Sequence, residues 1–518
     1  MKIITKVCAF SCIIAVSLVA QQPPPDLDSF VEKVMSTFEV PGIGLAIVKD
    51  GKVVLAKGYG VKRLGKPDKV DDGTLFAIAS NSKVFTATAL GILVEEGKVE
   101  WDAPVIRYLP WFRLSDPYVT KELTVRDLLV HRSGLGLGAG DLLWWPPSTY
   151  NREEIARRLQ HIPLATSFRS AYAYDNVLYL VAGLVIETVS GMSWEEFVTK
   201  RILQPVGMTG SYPSHSDIER VPNAAWSHAE VEGKVKPVAP FTSDNTNPAG
   251  GVVSSAVDMA KWVIVNLDSG RISPDKRLYD ARLTRNLQAV VTPLRPENPP
   301  KSLAPLRANF SGYGLGLGLS DYRGSKMVTH TGGLPGFVSK VTMIPEKRLG
   351  VVVLTNQESG AAFMVLTHHI LDHYLGANDT DWLGAYKKLG DEQKERLAAM
   401  EKKTEADRTK AGPSLPLEKY AGTYRDAWYG DIAIDVKDGK GTITFTKTPS
   451  LTGSFEHWQY DTFVARWTDR ELRADAFITF AFEPDGSIRE ARMKAVSPST
   501  DFSFDFHDLL LKPVTQNR

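Results

Sequence analysis

Phe76-Ala77-Ile78-Ala79-Ser80-Asn81-Ser82-Lys83-Val84-Phe85-Thr86-Ala87-Thr88-Ala89-Leu90 carries a small, apolar run into Ser-x-x-Lys and on into an apolar helical pattern. A spacing of i to i+3 puts Ser80 and Lys83 on one helical face, one turn apart. A serine at the start of a helix also lies near the positive end of the helix dipole. The stretch therefore pairs a nucleophile with a neighbouring amine at a place that favours a developing anion. An N-cap serine beside a solvated lysine gives the same four letters. Weight on the chemical reading must come from company further along the chain.

That company is present. Arg169-Ser170-Ala171-Tyr172-Ala173-Tyr174-Asp175-Asn176-Val177-Leu178-Tyr179 contains Tyr-x-Asn. Met327-Val328-Thr329-His330-Thr331-Gly332-Gly333-Leu334-Pro335-Gly336-Phe337 contains His-Thr-Gly-Gly. Ser-x-x-Lys, then Tyr-x-Asn, then a Lys/His-Thr-Gly element on a late strand resembles the motif order of the serine β-lactamase and penicillin-binding-protein superfamily. Tyrosine in the middle motif makes the chain look like the class C branch, which also holds D-peptidases, D-aminopeptidases and carboxylesterases. Pro41-Gly42-Ile43-Gly44-Leu45-Ala46-Ile47-Val48, Leu128-Leu129-Val130-His131-Arg132-Ser133-Gly134-Leu135 and Ala249-Gly250-Gly251-Val252-Val253-Ser254-Ser255 resemble further elements of that family. The resemblance spans roughly residues 26–375. It implies an α/β (α+β) fold with helices around a largely antiparallel sheet.

Composition sets outer bounds. The chain has 518 residues, 43% hydrophobic and 23% charged, so it can bury a large core and does not read as disordered. A net charge of +1 gives no bulk attraction to nucleic acid or to acidic partners. Met1-Lys2-Ile3-Ile4-Thr5-Lys6 and the apolar run Val7 to Ala20 read as a signal peptide over residues 1–20, so the expected location is secreted or periplasmic. Leu18 is large for its place before that cut. The run is short for a bilayer span of about 20 residues, so no stable membrane span is expected after cleavage. Cys8 and Cys12 both lie in this segment. A mature chain would have no disulfide or thiol nucleophile, and Cys12 is a poor match to a lipoprotein acceptor.

Ile43 to Val48, Asp50-Gly51 and Val53 to Ala56 read as strand, turn, strand. Helical patterns follow Ser80 and cover Glu153 to Leu159 and Val177 to Val189. Gly312 to Leu319 alternates glycine with bulky residues, which predicts one strand packed closely on another layer. Lys326 to Thr329, Ser339 to Ile344 and Gly350 to Thr355 read as strands. Residues 376–414 read as a linker, with a solvated helix from Asp391 to Lys410 and a Gly/Pro stop. Residues 415–518 hold short strands separated by turns such as Asp438-Gly439 and Asp485-Gly486, which predicts a small β-barrel. Tyr420-Ala421-Gly422-Thr423-Tyr424 resembles the opening of the lipocalin-like domain attached to some β-lactamase-related hydrolases.

Hydrolysis through a covalent intermediate needs a nucleophile, a base, an oxyanion hole and a proton donor for the leaving group. Ser80 is the candidate nucleophile. Lys83 or Tyr174 is the candidate base, and a lysine must fall from about 10.4 to serve near neutral pH. The resemblance implies that Asn176 bridges Lys83 and a substrate amide. It also implies that Thr331 and Gly333 belong to the substrate-binding strand, and that backbone N–H groups of Ser80 and Gly333 form the oxyanion hole. His330 stands where most class C enzymes have lysine. A neutral imidazole offers hydrogen bonds without fixed charge, so weaker dependence on a substrate carboxylate is expected. His131 reads as structural. Trp144-Trp145-Pro146-Pro147 either lines the cleft or packs its loop.

No metal, other cofactor or nucleic acid is expected. Asn309-Phe310-Ser311 and Asn378-Asp379-Thr380 match the glycosylation acceptor. The resulting expectation is a serine hydrolase that forms an acyl-enzyme with small-molecule or short-peptide substrates: D-amino-acid peptides, short-chain esters and, more slowly, β-lactams. Alternatives are a penicillin-binding protein acylated without efficient turnover, and a barrel that binds a lipid-like ligand. The barrel is expected to shape the active-site entrance or to mediate assembly.

Overall fold

The computed structural model describes residues 22–377 and 379–514, apart from the side chain of Glu219. The signal-peptide reading, both cysteines and Asn378 lie outside them. Helix α1 (Leu27–Phe38) leads into the hairpin β1 (Gly42–Lys49) and β2 (Lys52–Gly60). Every side chain of β1 up to Val48 is buried, as a central strand covered on both faces requires. Helices α2 (Lys83–Glu95), α3 (Val177–Ser190) and α4 (Ala256–Leu267) follow. Next come strands β3 (Thr292–Leu294), β4 (Ser311–Tyr313), β5 (Gly318–Tyr322), β6 (Ser325–Leu334), β7 (Phe337–Ile344) and β8 (Leu349–Thr355). They form one eight-stranded sheet in the order β2-β1-β8-β7-β6-β5-β4-β3, and its pairs are antiparallel. α2 is buried from Lys83 through Leu93 and α3 from Val177 through Ile186. Both are core helices that are apolar all round.

The expected single strand over Gly312 to Leu319 is instead the hairpin β4–β5. Gly314 N–H donates to Leu317 O, and Gly316 makes the turn at φ 77°. A Cβ on Gly316 would stand 3.1 Å from the backbone carbonyl of Lys83. The close approach read from the glycines is thus real, but it occurs at a turn tip pressed on the start of α2. The period-two pattern of glycine and leucine could not distinguish a strand from a tight hairpin.

Helix α5 (Gly360–Leu375) covers the far face of the sheet, and α6 (Trp382–Ala406) leads away from it. α6 begins at Trp382 rather than Asp391. Its first turn is anchored, because Trp382 is buried and its indole N–H donates to Asp372 Oδ2 at 2.9 Å. Strands β9 (Gly422–Asp426), β10 (Gly430–Lys437), β11 (Lys440–Phe445), β12 (Thr452–Gln459), β13 (Thr462–Trp467), β14 (Ala476–Phe482), β15 (Ile488–Ala495) and β16 (Leu510–Pro513) form a closed barrel. β9 pairs with β16 through Tyr424 opposite Pro513, so neither strand is left as a free edge. Phe445, Phe455, Phe463, Trp467 and Phe506 fill the interior.

The barrel sits on the sheet-and-helix domain. Tyr150 Oη donates to Tyr429 O, Arg158 Nη1 donates to Trp428 O, and Arg473 grips Glu358 with both guanidinium nitrogens at 2.5 and 2.7 Å. Apolar residues of the two domains belong to one continuous core.

Candidate active site

The chain enters the site through the short strand Phe76–Ala77, which pairs antiparallel with Val253–Ser254. Ala79 then takes φ 49°, a left-handed backbone that costs a residue with a Cβ about 1–2 kcal/mol. This corner starts a tight turn, Ala79–Ser82, that runs directly into α2. Ser82 Oγ accepts from Val252 N–H at 2.9 Å, and Ile78 N–H donates to Val252 O at 3.0 Å. The Ala249–Ser255 segment therefore clamps the turn from both ends. Ser80 is partly exposed at its mouth, while Lys83 has no solvent exposure.

Lys83 Nζ donates to Ser80 Oγ at 3.1 Å, to Asn176 Oδ1 at 2.7 Å and to Ala249 O at 2.9 Å. It also lies 4.9 Å from the Tyr174 ring centroid. Burial lowers the Lys83 pKa to about 7, although the carboxylates of Asp141 and Asp175 oppose the shift. The Tyr174 hydroxyl hydrogen-bonds Ser80, but burial pushes the phenol well above its usual range. Asn176 occupies the N-cap position of α3 without capping it. Its amide oxygen faces Lys83, and its nitrogen donates to Asp141 Oδ2 at 2.8 Å.

The late strand closes the other wall. His330 Nδ1 is 2.5 Å from the carbonyl of Thr331, so that nitrogen carries the proton. Nε2 must then accept from the Tyr313 hydroxyl at 2.8 Å. Both ring nitrogens are bound to the protein. Burial, with the Lys83 charge adding to it, lowers the His330 pKa to about 3. The imidazole is uncharged and gives the cavity a face, not a donor. Thr331 and Gly333 are exposed towards the cavity, and Gly332 is buried. Close packing falls at Gly332, where a Cβ would stand 2.2 Å from Ile78 O; at Gly333 nothing lies within 4 Å. His131 is fully buried, with Nδ1 accepting from Asp175 N–H at 3.1 Å and its ring 4.2 Å from that of Tyr174. It supports the Tyr174 loop from beneath.

The sequence-picked residues Ser80, Tyr174, Asn176, His330, Thr331 and Gly333 all line one cavity of about 670 Å³. Both tryptophan readings hold. Trp144 and Trp145 are buried, yet they wall this cavity. Trp144 Nε1 donates to Asp141 Oδ1 at 2.9 Å, and Trp145 stacks on Phe241 at 5.4 Å.

Four residues escaped the sequence reading: Asp141, Tyr313, Phe502 and Ser503. Asp141 precedes the tryptophan pair by three residues, and a buried acid there was a weak available signal. Phe502 and Ser503 come from the barrel domain, between β15 and β16. Phe502 meets Tyr174 edge-on at 6.1 Å, and Ser503 Oγ donates to Asp141 Oδ2 at 2.9 Å. Nothing local in Asp501-Phe502-Ser503-Phe504-Asp505 announces contact with residues so far away in sequence.

Comparison with known proteins agrees with this geometry. Residues 27–375 match the Beta-lactamase family. The chain belongs to that family. Residues 406–513 match a domain of unknown function, DUF3471. The β-lactamase-family chain is 30% identical over 505 residues to the protein named unguisins hydrolase ungD of Aspergillus violaceofuscus, covering 90% of this chain and 86% of that one. It is 25% identical over 371 residues to protein flp of Staphylococcus aureus, covering 70% and 69%. Among solved structures, the octameric penicillin-binding protein homologue from Pyrococcus abyssi superposes with a TM-score of 0.60 at 24% identity, over 94% of this chain and 99% of that one. That likeness is one of fold. The Beta-lactamase match, the hydrolase relative and the site together support a serine-hydrolase-like function.

Proposed function

We propose that Ser80 is acylated by extended amides or esters that carry no carboxylate beside the reacting carbonyl, and that water then releases the acyl group. The observation that carries the chemistry is the fully buried Lys83 amine, 3.1 Å from Ser80 Oγ with a pKa near 7. About half of such lysines are uncharged at pH 7 and able to take a proton. Tyr174 keeps its proton and is the acid. Ser80 Oγ bonds to the carbonyl carbon as its proton passes to Lys83 Nζ. The bond to the leaving group then breaks. Tyr174 protonates that group and is refilled from Lys83. Water repeats the sequence on the acyl-enzyme. Backbone N–H groups of Ser80 and Gly333 are the proposed donors to the oxyanion.

The substrate class rests on the cavity wall. Glu297 and Asp501 line it, and among its described lining residues there is no arginine or lysine. With His330 uncharged, a substrate carboxylate would meet two acids. A second cavity of about 780 Å³ adjoins the first between the domains, sharing Trp145, Gly333, Leu334 and Asp501 as walls. That space favours a peptide-like substrate over a compact β-lactam. The relative named an unguisins hydrolase aligns across both domains, in keeping with turnover.

Matched p-nitrophenyl esters with and without a carboxylate on the acyl carbon, run beside a chromogenic cephalosporin and the Ser80→Ala variant, test this reading. The carboxylate-free ester should be favoured about tenfold or more in kcat/KM, a difference of ~1.4 kcal/mol. Preference for the carboxylate would refute the substrate class. An adduct on Ser80 that persists in intact-mass spectra would replace turnover with the penicillin-binding reading.

A further inference from the structure

We propose that Asp141 and the barrel residue Ser503 are positioning residues for the general base, acting through the Asn176 amide. This inference rests on the reading of Lys83 as that base.

The connection is continuous and buried. Ser503 Oγ donates to Asp141 Oδ2 at 2.9 Å, Asn176 Nδ2 donates to the same oxygen at 2.8 Å, and Asn176 Oδ1 accepts from Lys83 Nζ at 2.7 Å. Asp141 and Lys83 have no solvent exposure, and Ser503 and Asn176 are nearly buried. A primary amide can be flipped, exchanging its oxygen and nitrogen. Here a flip would set amide N–H groups against an ammonium and an oxygen against a carboxylate. Asp141 therefore holds the amide in the orientation that presents its oxygen to Lys83.

The barrel in turn holds Asp141. Ser503 supplies one of three donors to its carboxylate, beside Asn176 and Trp144. Two residues on, Asp505 accepts from Gly140 N–H at 2.7 Å and from Leu142 N–H at 3.1 Å. The peptides on both sides of Asp141 are thus pinned by one barrel segment. Burial raises the Asp141 pKa to about 7, and the three hydrogen bonds, from Asn176, Ser503 and Trp144, oppose that rise by favouring its charged form.

Asp141 is not the sole group bearing on Lys83. Ser80 shares its turn, and Tyr174 and Asp175 precede α3. Tyr179 of α3 lies 5.2 Å away, ring centroid to Nζ. His131 and His330 feel the lysine charge from the helix-to-loop element and from β6. Asp175 and Asp141 raise the proton affinity of Lys83, and burial lowers it. Burial, with the Asp141 charge adding to it, pushes the Asp505 pKa well up. Loss of the Ser503 donor raises the proton affinity of Asp141. That weakens the negative charge near Lys83, so the lysine loses its proton at lower pH.

The test is the pH dependence of kcat/KM for a p-nitrophenyl ester, read at the isosbestic wavelength of nitrophenol, in the full chain. Wild type, Ser503→Ala, Ser503→Thr, Asp141→Asn and Lys83→Ala are compared, with thermal melting as a folding check. If steady turnover is absent, the nitrophenol burst reports acylation over the same pH range. Ser503→Ala and Asp141→Asn should lower kcat several-fold and move the acidic limb to lower pH. Ser503→Thr, which keeps the hydroxyl, should restore the wild-type limb. A limb unmoved in folded Ser503→Ala would overturn the inference, because a merely structural role lowers the rate without shifting it. Lys83→Ala with a wild-type limb and rate would instead overturn the general-base reading beneath it.

Discussion

Replacing Gly332 with alanine should dismantle the site while the same change one residue later leaves the fold intact. A Cβ at 332 would stand 2.2 Å from Ile78 O, 2.6 Å from Ser339 Oγ and 3.0 Å from Ala79 Cβ. None of these can yield easily. Ile78 O is backbone and already accepts from the Ser339 hydroxyl at 2.7 Å, and that hydroxyl accepts from Asn81 Nδ2 at 2.8 Å. Relief requires β6 to move away from the Ser80 turn by roughly 1 Å, enough to cost about a hundredfold in rate at a catalytic geometry. Overpacking of this kind costs about 1–3 kcal/mol. For a chain of this length, at about 1 °C per kcal/mol, the melting temperature should fall by roughly 1–3 °C. Gly333→Ala meets nothing within 4 Å. It should melt like wild type and lose kcat/KM through a methyl group placed on the substrate's side of the strand. Differential scanning fluorimetry and ester turnover on the pair give the answer. Gly332→Ala with wild-type melting and kcat would refute the claim that β6 is held against the nucleophile turn by backbone contact.

Two further outcomes follow from the same geometry. Activity should be fully present above the Lys83 pKa and lost as pH falls through about 7, because a protonated amine cannot accept from Ser80; a kcat/KM profile flat from about pH 5 to 9 would exclude Lys83 as base. Asp505→Ala should strip acceptors from the buried N–H groups of Gly140 and Leu142, at about 1–3 kcal/mol each, with Asp505→Asn recovering part of the loss. Equal melting temperatures for Asp505→Ala and wild type would show that this junction does not hold the barrel in place.

What could be read in the sequence follows the range of each interaction. Ser80 and Lys83 share one turn and its helix, so their spacing alone puts them together. Tyr174 and Asn176 flank the start of α3, and His330 to Gly333 lie on one strand. Each motif is local, and only their mutual order spans the chain. The failures share a cause. Gly312 to Leu319 was ambiguous because a period of two fits a strand or a tight hairpin, and Gly316 decides it through contact with Lys83, distant in sequence. His330 was legible as an imidazole in place of lysine, but its charge is set by burial and its hydrogen bond to Tyr313 by how β4 and β6 pair on either side of β5. The start of α6 was missed because Trp382 is helical through packing on Asp372, not through the charged pattern that begins at Asp391.

The barrel's role shows why deleting it is a poor test of what it does. Cutting the chain near Pro413 would leave Asp141 without the Ser503 donor and the N–H groups of Gly140 and Leu142 without Asp505. It would also bare Trp145, which meets Phe504 edge-on at 6.5 Å, and it would cut one continuous apolar core in two. A truncated enzyme could then lose activity through unfolding, through exposure of the cleft or through a misplaced base, and the rate alone would not distinguish them. Ser503→Ala removes one oxygen and Asp505→Ala one carboxylate. The first acts on Asn176 and Lys83, and the second acts on the docking of the loop. Catalytic coupling therefore predicts a displaced pH limb with little change in melting for Ser503→Ala. Docking predicts the converse for Asp505→Ala, so the two functions of one short segment separate by measurement.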